Sequence, residues 1–341
     1  MEKPNSIDLS ALIQQAVDLL RRNMEAYPAF DATRPYEEKN LYFLELARMG
    51  EELLIRTRNY PAGEIFFSVL KKEILEYERV NYKIFNKGMV YADLGIAQIA
   101  SMKLDPGVAH LLAADKEDQP FVHDPHGILN SELWRQFERP VIFDYLTGFN
   151  NDPNAGLNFQ VDEAFLEGFF THLDLQDSLF LEATIWALRD NLSLNAMHPN
   201  TYTQGKLYSG IKDLCLFTES LLRKHQIAQG LVNANQQIML GNLLASALRN
   251  ANINYPQPNL AIGANNLQDF VNGLENTLNN AISPEIRRVY CLHLIRNFTG
   301  HHFDLTDTTV SANGRSFFDM YSVALVNVLA AILYLHHVGE I

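Results

Sequence analysis

Apolar residues recur at steps of three and four along most of the chain, with polar residues between them, and this is the period of a helix buried on one side. Continuous β-branched runs bounded by turns are scarce. The pattern therefore predicts an all-α fold. In the front part it predicts five helices, over Leu9–Met24, Glu37–Arg58, Ala62–Tyr82, Asn86–Met102 and Pro106–Ala114.

Breaks such as Asn59–Pro61 separate these helices and predict helical hairpins in series over residues 1–120. The last pair resembles a tetratricopeptide unit, with Gly95 on its first helix and Gly107 on its second, where small residues let two helices approach closely. The resemblance implies a repeat-like array (TPR-like) whose concave face binds a protein partner or regulator. Ordinary antiparallel helices that share small-residue contacts are the alternative.

The pattern changes after residue 120. Pro120–Pro140 and Gly148–Gly156 interrupt it, and we predict helices over Val161–His172 and Leu175–Asn195. The polar segment His198–Gly205 marks a boundary. We therefore predict three parts, namely the hairpins of 1–120, a helical connecting region of 121–200 and a bundle of four or five helices over 201–341.

The predicted bundle ends in an apolar segment. Met320–Val338 contains no Asp, Glu, Lys or Arg over a length that could cross a bilayer. Asn327 lowers its hydropathy and no basic cluster flanks it, so a buried core helix is favoured over a membrane anchor. The predicted helices are Lys206–Gln226, Leu231–Asn250, Leu267–Ile282, Pro284–Thr299 and Arg315–Val338, with a loop over Asn252–Asn265.

The formal charge of −13 argues against a protein that coats nucleic acid, which needs many Lys and Arg. Residues 1–200 carry 18 Lys and Arg against 31 Asp and Glu, while residues 201–341 carry 9 of each. A phosphate-binding site in the last part is therefore not opposed by the charge of its own domain, and the front favours basic partners.

Several kinds of chemistry are excluded by absent motifs. The chain has no GxGxxG after a strand, no GxxxxGK[ST], no HExxH and no GxSxG, so we expect no cofactor. His123 and His126 offer two imidazoles around Asp124, but no further ligand stands at a recognisable spacing, and turn chemistry is favoured over a metal site. Cys215 and Cys291 lie in apolar helical stretches, which predicts a reducing, cytoplasmic compartment.

The most informative segment is Ser283–Asp304. Its start has a capping hydroxyl, a proline at the first helical position and an acid, and apolar residues follow at helical spacing. Gly300 is a natural place for the helix to end. Arg296, Asn297, His301 and His302 cluster at that end.

Residues 296–301 (RNFTGH) resemble the motif of HEPN domains, an Arg followed after four to six residues by a His, with a polar residue directly after the Arg. The resemblance covers about the last 140 residues. Spacing alone is not specific, because Arg287 and Arg288 also precede His293 at spacings that the motif allows. The polar Asn297, the position of His301 at a helix end and the closing apolar helix favour Arg296.

The resemblance implies a metal-independent endoribonuclease of a toxin or antiviral-defence type. Arg296 would stabilise charge on the phosphate, His301 or His302 would move protons, and Asn297 would orient the phosphate or the imidazole. On one helix Arg296 and His301 lie about 140° apart, so a two-fold homodimer, which is typical of HEPN domains, would complete the site.

Two departures from the family pattern leave alternatives open. His301 and His302 both satisfy the spacing, and Phe303 stands where HEPN members that partner nucleotidyltransferases have Tyr. Some HEPN domains have lost activity and serve as scaffolds. A non-catalytic dimeric adaptor that binds a protein partner through its front helices is therefore the alternative to the ribonuclease.

Overall fold

A computed structural model describes residues 8–29, 33, 43–121, 129–153, 155–197, 201–236, 238–253, 255, 284–301 and 317–341. Over these residues the protein is all-α, as predicted, and they include no strand. The helices of the described chain are α1 Leu9–Ala26, α2 Leu44–Gly50, α3 Tyr60–Asn81, α4 Gly88–Ala100, α5 Leu104–Asp118, α6 Asn130–Thr147, α7 Glu163–His172, α8 Leu175–Met197, α9 Thr201–Ala228, α10 Leu240–Asn250, α11 Pro284–His301 and α12 Phe317–His337.

The chain divides into two compact units. The first comprises Met1–Val141 and Leu175–Ala187, and the second comprises Ile142–Asp174 and Leu188–Ile341. Two of the boundaries fall within α6 and α8, and the third falls at the start of α8. The three-part division at residues 120 and 200 stays a prediction.

The first unit begins with α1 packed against α3. The Asp8 carboxylate accepts hydrogen bonds from the backbone N–H groups of Ser10 and Ala11, each at 3.1 Å, and so caps the start of α1. One side of each helix is buried, and the shared core contains Leu12, Ala16, Leu20 and Met24 of α1 with Phe66, Phe67, Leu70 and Ile74 of α3. The period of three and four residues predicted both helices, and the buried residues lie at these steps.

Helices α4 and α5 form a tight hairpin because Gly95 and Gly107 face each other. A Cβ atom on Gly95 would lie 2.8 Å from the carbonyl oxygen of Gly107. A Cβ atom on Gly107 would lie 2.6 Å from Cγ1 of Ile99. Since real Cβ atoms do not approach that closely, both positions need glycine, as the small-residue pattern predicts.

Helix boundaries differ from the sequence prediction in several places, and three of these differences have a physical reason. Helix α6 runs through the segment predicted as an interruption and contains Pro140, whose exposed position lets water satisfy the carbonyl that loses its partner. Helix α9 begins at Thr201, inside the predicted boundary. Helix α10 begins only at Leu240, because Asn233 and its polar neighbours form turns instead, and Asn side chains compete for backbone hydrogen bonds.

The second unit buries α11 and α12 together with α9. Its core includes Val289, Leu292 and Ile295 of α11 and Leu325, Leu329 and Ile332 of α12. The amide Nδ2 of Asn327 donates to the Val323 carbonyl at 2.8 Å, so this polar residue is tolerated inside α12.

None of the described helices is both long and apolar enough to cross a bilayer. The predicted helix Leu267–Ile282 and most of the loop Asn252–Asn265 lie outside the described residues.

Candidate functional site

Helix α11 carries the HEPN-like motif. It extends from Pro284 to His301, close to the predicted Pro284–Thr299, and it runs unbroken through Arg296, Asn297 and His301. Ile295 is buried, whereas the next two side chains, Arg296 and Asn297, are only partly buried. At Arg296 and Asn297, helix α11 therefore passes from fully buried to partly exposed side chains.

Arg296 is joined to α9 by an ion pair. Its Nε donates a hydrogen bond to Oε2 of Glu219 at 3.1 Å, and the two side chains are 26% and 18% exposed. Within the described chain, this hydrogen bond involves Nε and not the two terminal nitrogens. The guanidinium is held in place with part of its hydrogen-bonding capacity still available.

A second contact fixes the same end of α11. The Tyr208 hydroxyl of α9 donates to the Thr299 carbonyl at 3.2 Å, and both residues are buried. Glu219 comes later in α9 than Tyr208, while its partner Arg296 comes earlier in α11 than Thr299, so the two helices are antiparallel. Burial raises the pKa of Tyr208 to about 12, so its hydroxyl remains a donor at neutral pH.

The structure describes the candidate residues to different extents. Arg296 and Asn297 are described with their side chains, and His301 is the last residue of α11. The side chain of His301 and the whole of His302 lie outside what the structure describes. The choice between these two histidines stays open.

Of the residues in the competing Arg and His pairs of α11, Arg288 and His293 belong to the core, whereas Arg287 is only partly buried. Arg288 is 2% exposed, its Nε donates to the Ala155 carbonyl, and its guanidinium carbon lies 6.0 Å from the centre of the Tyr334 ring. His293 is buried, and its Nδ1 lies 3.1 Å from the Tyr255 hydroxyl. These contacts assign structural roles to Arg288 and His293.

The electrostatics of His293 agree with that assignment. Burial, with the positive charge of Arg296 as a smaller cause, lowers the pKa of His293 to about 4. The imidazole is therefore neutral near neutral pH and is suited to a fixed hydrogen bond with Tyr255. Proton transfer at pH 7 requires a group whose pKa lies closer to that pH.

The residues considered for metals and disulfides give no second site. Cys215 and Cys291 are both buried free thiols, and burial raises the pKa of each above its usual value. In the described part of the chain, no group of three or more His, Cys, Asp or Glu side chains could hold a metal ion. His123 and His126 lie outside the described residues.

Glu219 is the functional candidate that the sequence did not indicate. It precedes Arg296 by 77 residues, and no local motif connects the two. Only the packing of α9 against α11 brings them together.

Comparison of the chain with protein-family models, with curated proteins and with solved structures gives no match.

Proposed function

We propose that the protein is a metal-independent endoribonuclease of the HEPN type, an effector resembling toxins or antiviral-defence proteins. The observation that carries this proposal is the state of Arg296, which is partly exposed, anchored at Nε by Glu219 and followed directly by Asn297. Arg288 and His293, the rival pair, are occupied by core contacts. Because the rival pairs of Arg287 and of Arg288 both need His293, which is buried, Arg296 is the arginine of this helix that we favour for the phosphate.

The chemistry follows from these residue types. The 2′-hydroxyl oxygen of RNA attacks the adjacent phosphorus and loses its proton to a base, and the bond from phosphorus to the 5′-oxygen breaks. The 5′-oxygen takes a proton from an acid, which leaves a 2′,3′-cyclic phosphate and a 5′-hydroxyl. Terminal nitrogens of Arg296 stabilise charge on the phosphate, and His301 or His302 transfers protons.

A homodimer completes this proposed site. Residues 296 and 301 lie on one continuous helix, and five residues correspond to a rotation of about 140° between their side chains. One helix therefore does not direct both groups at the same phosphate. A two-fold axis near α11 would bring a second copy of each group to the site.

The first unit would then act as a regulatory scaffold in the cytoplasm. Its α4–α5 hairpin, closed by Gly95 and Gly107, supports the TPR-like interpretation of the front helices. The acidic balance of residues 1–200 would repel RNA and favour a basic protein partner. Residues 201–341 have no net formal charge, so they would not repel a phosphate from the proposed site.

The second candidate function is a non-catalytic dimeric adaptor. The observation that favours it is the Glu219 carboxylate beside Arg296, since an acid next to a phosphate site weakens the attraction of the guanidinium. An adaptor would dimerise through the second unit and bind its partner through the first. It would cleave no RNA under any condition.

An RNA-cleavage assay on the purified full-length protein tests the proposal. We expect cleavage that persists in EDTA, products ending in a 2′,3′-cyclic phosphate, and no cleavage of DNA of the same sequence, which lacks the attacking hydroxyl. Cleavage that requires a divalent metal ion would contradict the mechanism. A dimer without cleavage of any RNA would support the adaptor.

A further inference from the structure

A cavity of about 370 Å³ in the first unit is lined by residues of α2 and the π-helical turn after it, together with α4, α5 and α6. Four carboxyl groups lie in its wall, those of Glu51, Asp93, Asp118 and Glu138. Among the described residues that line it, none is Lys, Arg or His. The described lining of the cavity is therefore acidic.

Asp93 distinguishes this cavity from an ordinary acidic surface. Its side chain is 5% exposed, and its Oδ2 atom accepts no hydrogen bond within the described chain. A buried carboxylate without a donor is costly. Asp118 in the same wall differs, since the amides of Asn86 and Asn130 both donate to it.

The surroundings of Asp93 disfavour the charged form of its carboxyl. Burial, followed by the neighbouring carboxyl of Glu51, raises the pKa of Asp93 well above its usual range. Glu51 begins the π-helical turn Glu51–Ile55, a rare geometry that recurs at functional positions. A bound cation would supply a positive charge beside the two carboxyls and a donor for Oδ2 of Asp93.

The wall also carries an unused donor. Nε1 of Trp134 is buried and has no acceptor among the described residues. A ligand that satisfies both Trp134 and Asp93 must therefore carry an acceptor as well as a cationic donor. A peptide has both, because its carbonyl groups accept and an Arg or Lys side chain donates, whereas a polyamine has donors only.

The surroundings of the cavity favour an extended peptide segment over a compact molecule as its ligand. A second cavity of about 420 Å³ shares Leu44 with the first, and its lining includes the apolar Met49 and Leu53 together with the charged Glu45, Arg48 and Glu52. Phe137 lines the first cavity and is 66% exposed. Apolar contacts thus continue beyond the acidic wall, as an extended segment requires.

We propose that this cavity binds an Arg or Lys side chain of an extended protein segment, with Asp93 accepting from the cation and Trp134 donating to a carbonyl of the same segment. The aliphatic stem packs on the apolar wall, and neighbouring apolar residues of the segment occupy the adjoining cavity at Leu44. The proposal does not depend on ribonuclease activity.

Selection from a random library of displayed peptides, about a dozen residues long, tests this site on the full-length protein. We expect selected peptides to share one Arg or Lys with apolar neighbours. The affinity of such a peptide, measured by fluorescence anisotropy, should fall about tenfold when citrulline replaces its arginine. Asp93→Asn should weaken binding by a similar factor and Trp134→Phe by a smaller one.

The matched control is Asp105→Asn, which removes the same charge from an exposed position at the start of α5 and should leave the affinity unchanged. Circular dichroism checks that each variant is folded, and Glu51→Gln replaces Asp93→Asn should that variant unfold. Selected peptides without a cation, no selection at all, or equal affinities for the parent and Asp93→Asn would overturn the proposal. Displacement of the peptide by equimolar spermidine or free arginine would also overturn it, because the site would then take a small cation.

Discussion

Nε of Arg296 on α11 donates a hydrogen bond to Oε2 of Glu219 on α9 across 3.1 Å. The pair connects two helices of the second unit at the level of the candidate motif. It anchors Arg296 at Nε, and within the described chain it does not involve the two terminal nitrogens of the guanidinium. Glu219 is therefore a positioning residue in the proposed mechanism.

Two replacements of Glu219 should distinguish its role in positioning Arg296 from the effect of its negative charge. Glu219→Ala removes the acceptor, and we expect the cleavage rate to fall about tenfold because Arg296 loses its orientation. Glu219→Gln keeps an acceptor oxygen and should retain most of the rate. Both should lower the free energy of unfolding by only about 1 kcal/mol, since the pair is partly exposed. Equal rates for the parent and Glu219→Ala would remove the positioning role.

Arg288 and Arg296 should give opposite results when each is replaced. Arg288→Met leaves the buried Ala155 carbonyl without its donor, and we expect a loss of about 1–3 kcal/mol in the free energy of unfolding. The cleavage rate per folded molecule should not change. Denaturant unfolding and cleavage kinetics on the same samples measure both quantities. A loss of catalysis without a loss of stability would make Arg288 the functional arginine.

The two glycines of the α4–α5 hairpin should not tolerate a methyl group. Gly95→Ala places Cβ 2.8 Å from the Gly107 carbonyl oxygen, so the backbones must separate, and we expect a loss of about 1–3 kcal/mol. Gly168→Ala is the matched control in α7, because nothing lies within 4 Å of its Cβ position. It should raise stability by about 0.5–1 kcal/mol. Thermal unfolding that ranks the two variants in the reverse order would contradict the close approach of the helices.

Acid should destabilise the protein through His293. Its pKa is about 4 when folded and 6.5 in the unfolded chain, so the unfolded chain binds the proton first as the pH falls. The contribution of neutral His293 to the free energy of unfolding is fully present above pH 6.5. It is lost progressively as the pH falls to about 4, and the loss is at most about 3 kcal/mol. His293→Gln should flatten this part of the curve of unfolding free energy against pH. The exposed His172→Gln variant should keep it, and identical curves for the parent and His293→Gln would contradict the prediction.

The sequence predicts those parts of the fold that depend on local periodicity. The apolar steps of α1 and α3 and the small residues of the α4–α5 hairpin are visible in the sequence and reappear as contacts. The path of α6 is not predictable in this way, because Pro140 disfavours a helix locally while buried residues such as Trp134 and Phe143 stabilise it through tertiary packing.

The candidate site is only half predictable from sequence. Arg296, Asn297 and His301 are adjacent along one helix, so a motif identifies them. Glu219 and Arg296 meet through the register of α9 against α11, which no local pattern specifies. Asp93 likewise resembles a solvated helix residue in the sequence, and only the packing around α4 buries it.

In the proposed ribonuclease Arg296 is a catalytic residue, and one comparison tests this role most directly. The rate of RNA cleavage by the full-length protein in EDTA is measured for the parent, for Arg296→Ala and for Arg249→Ala, an exposed arginine of α10 in the same unit. We predict a loss of about 10²-fold or more for Arg296→Ala, the typical effect of removing one charge-stabilising donor, and no loss for Arg249→Ala. An Arg296→Ala variant that cleaves RNA as fast as the parent would contradict the account.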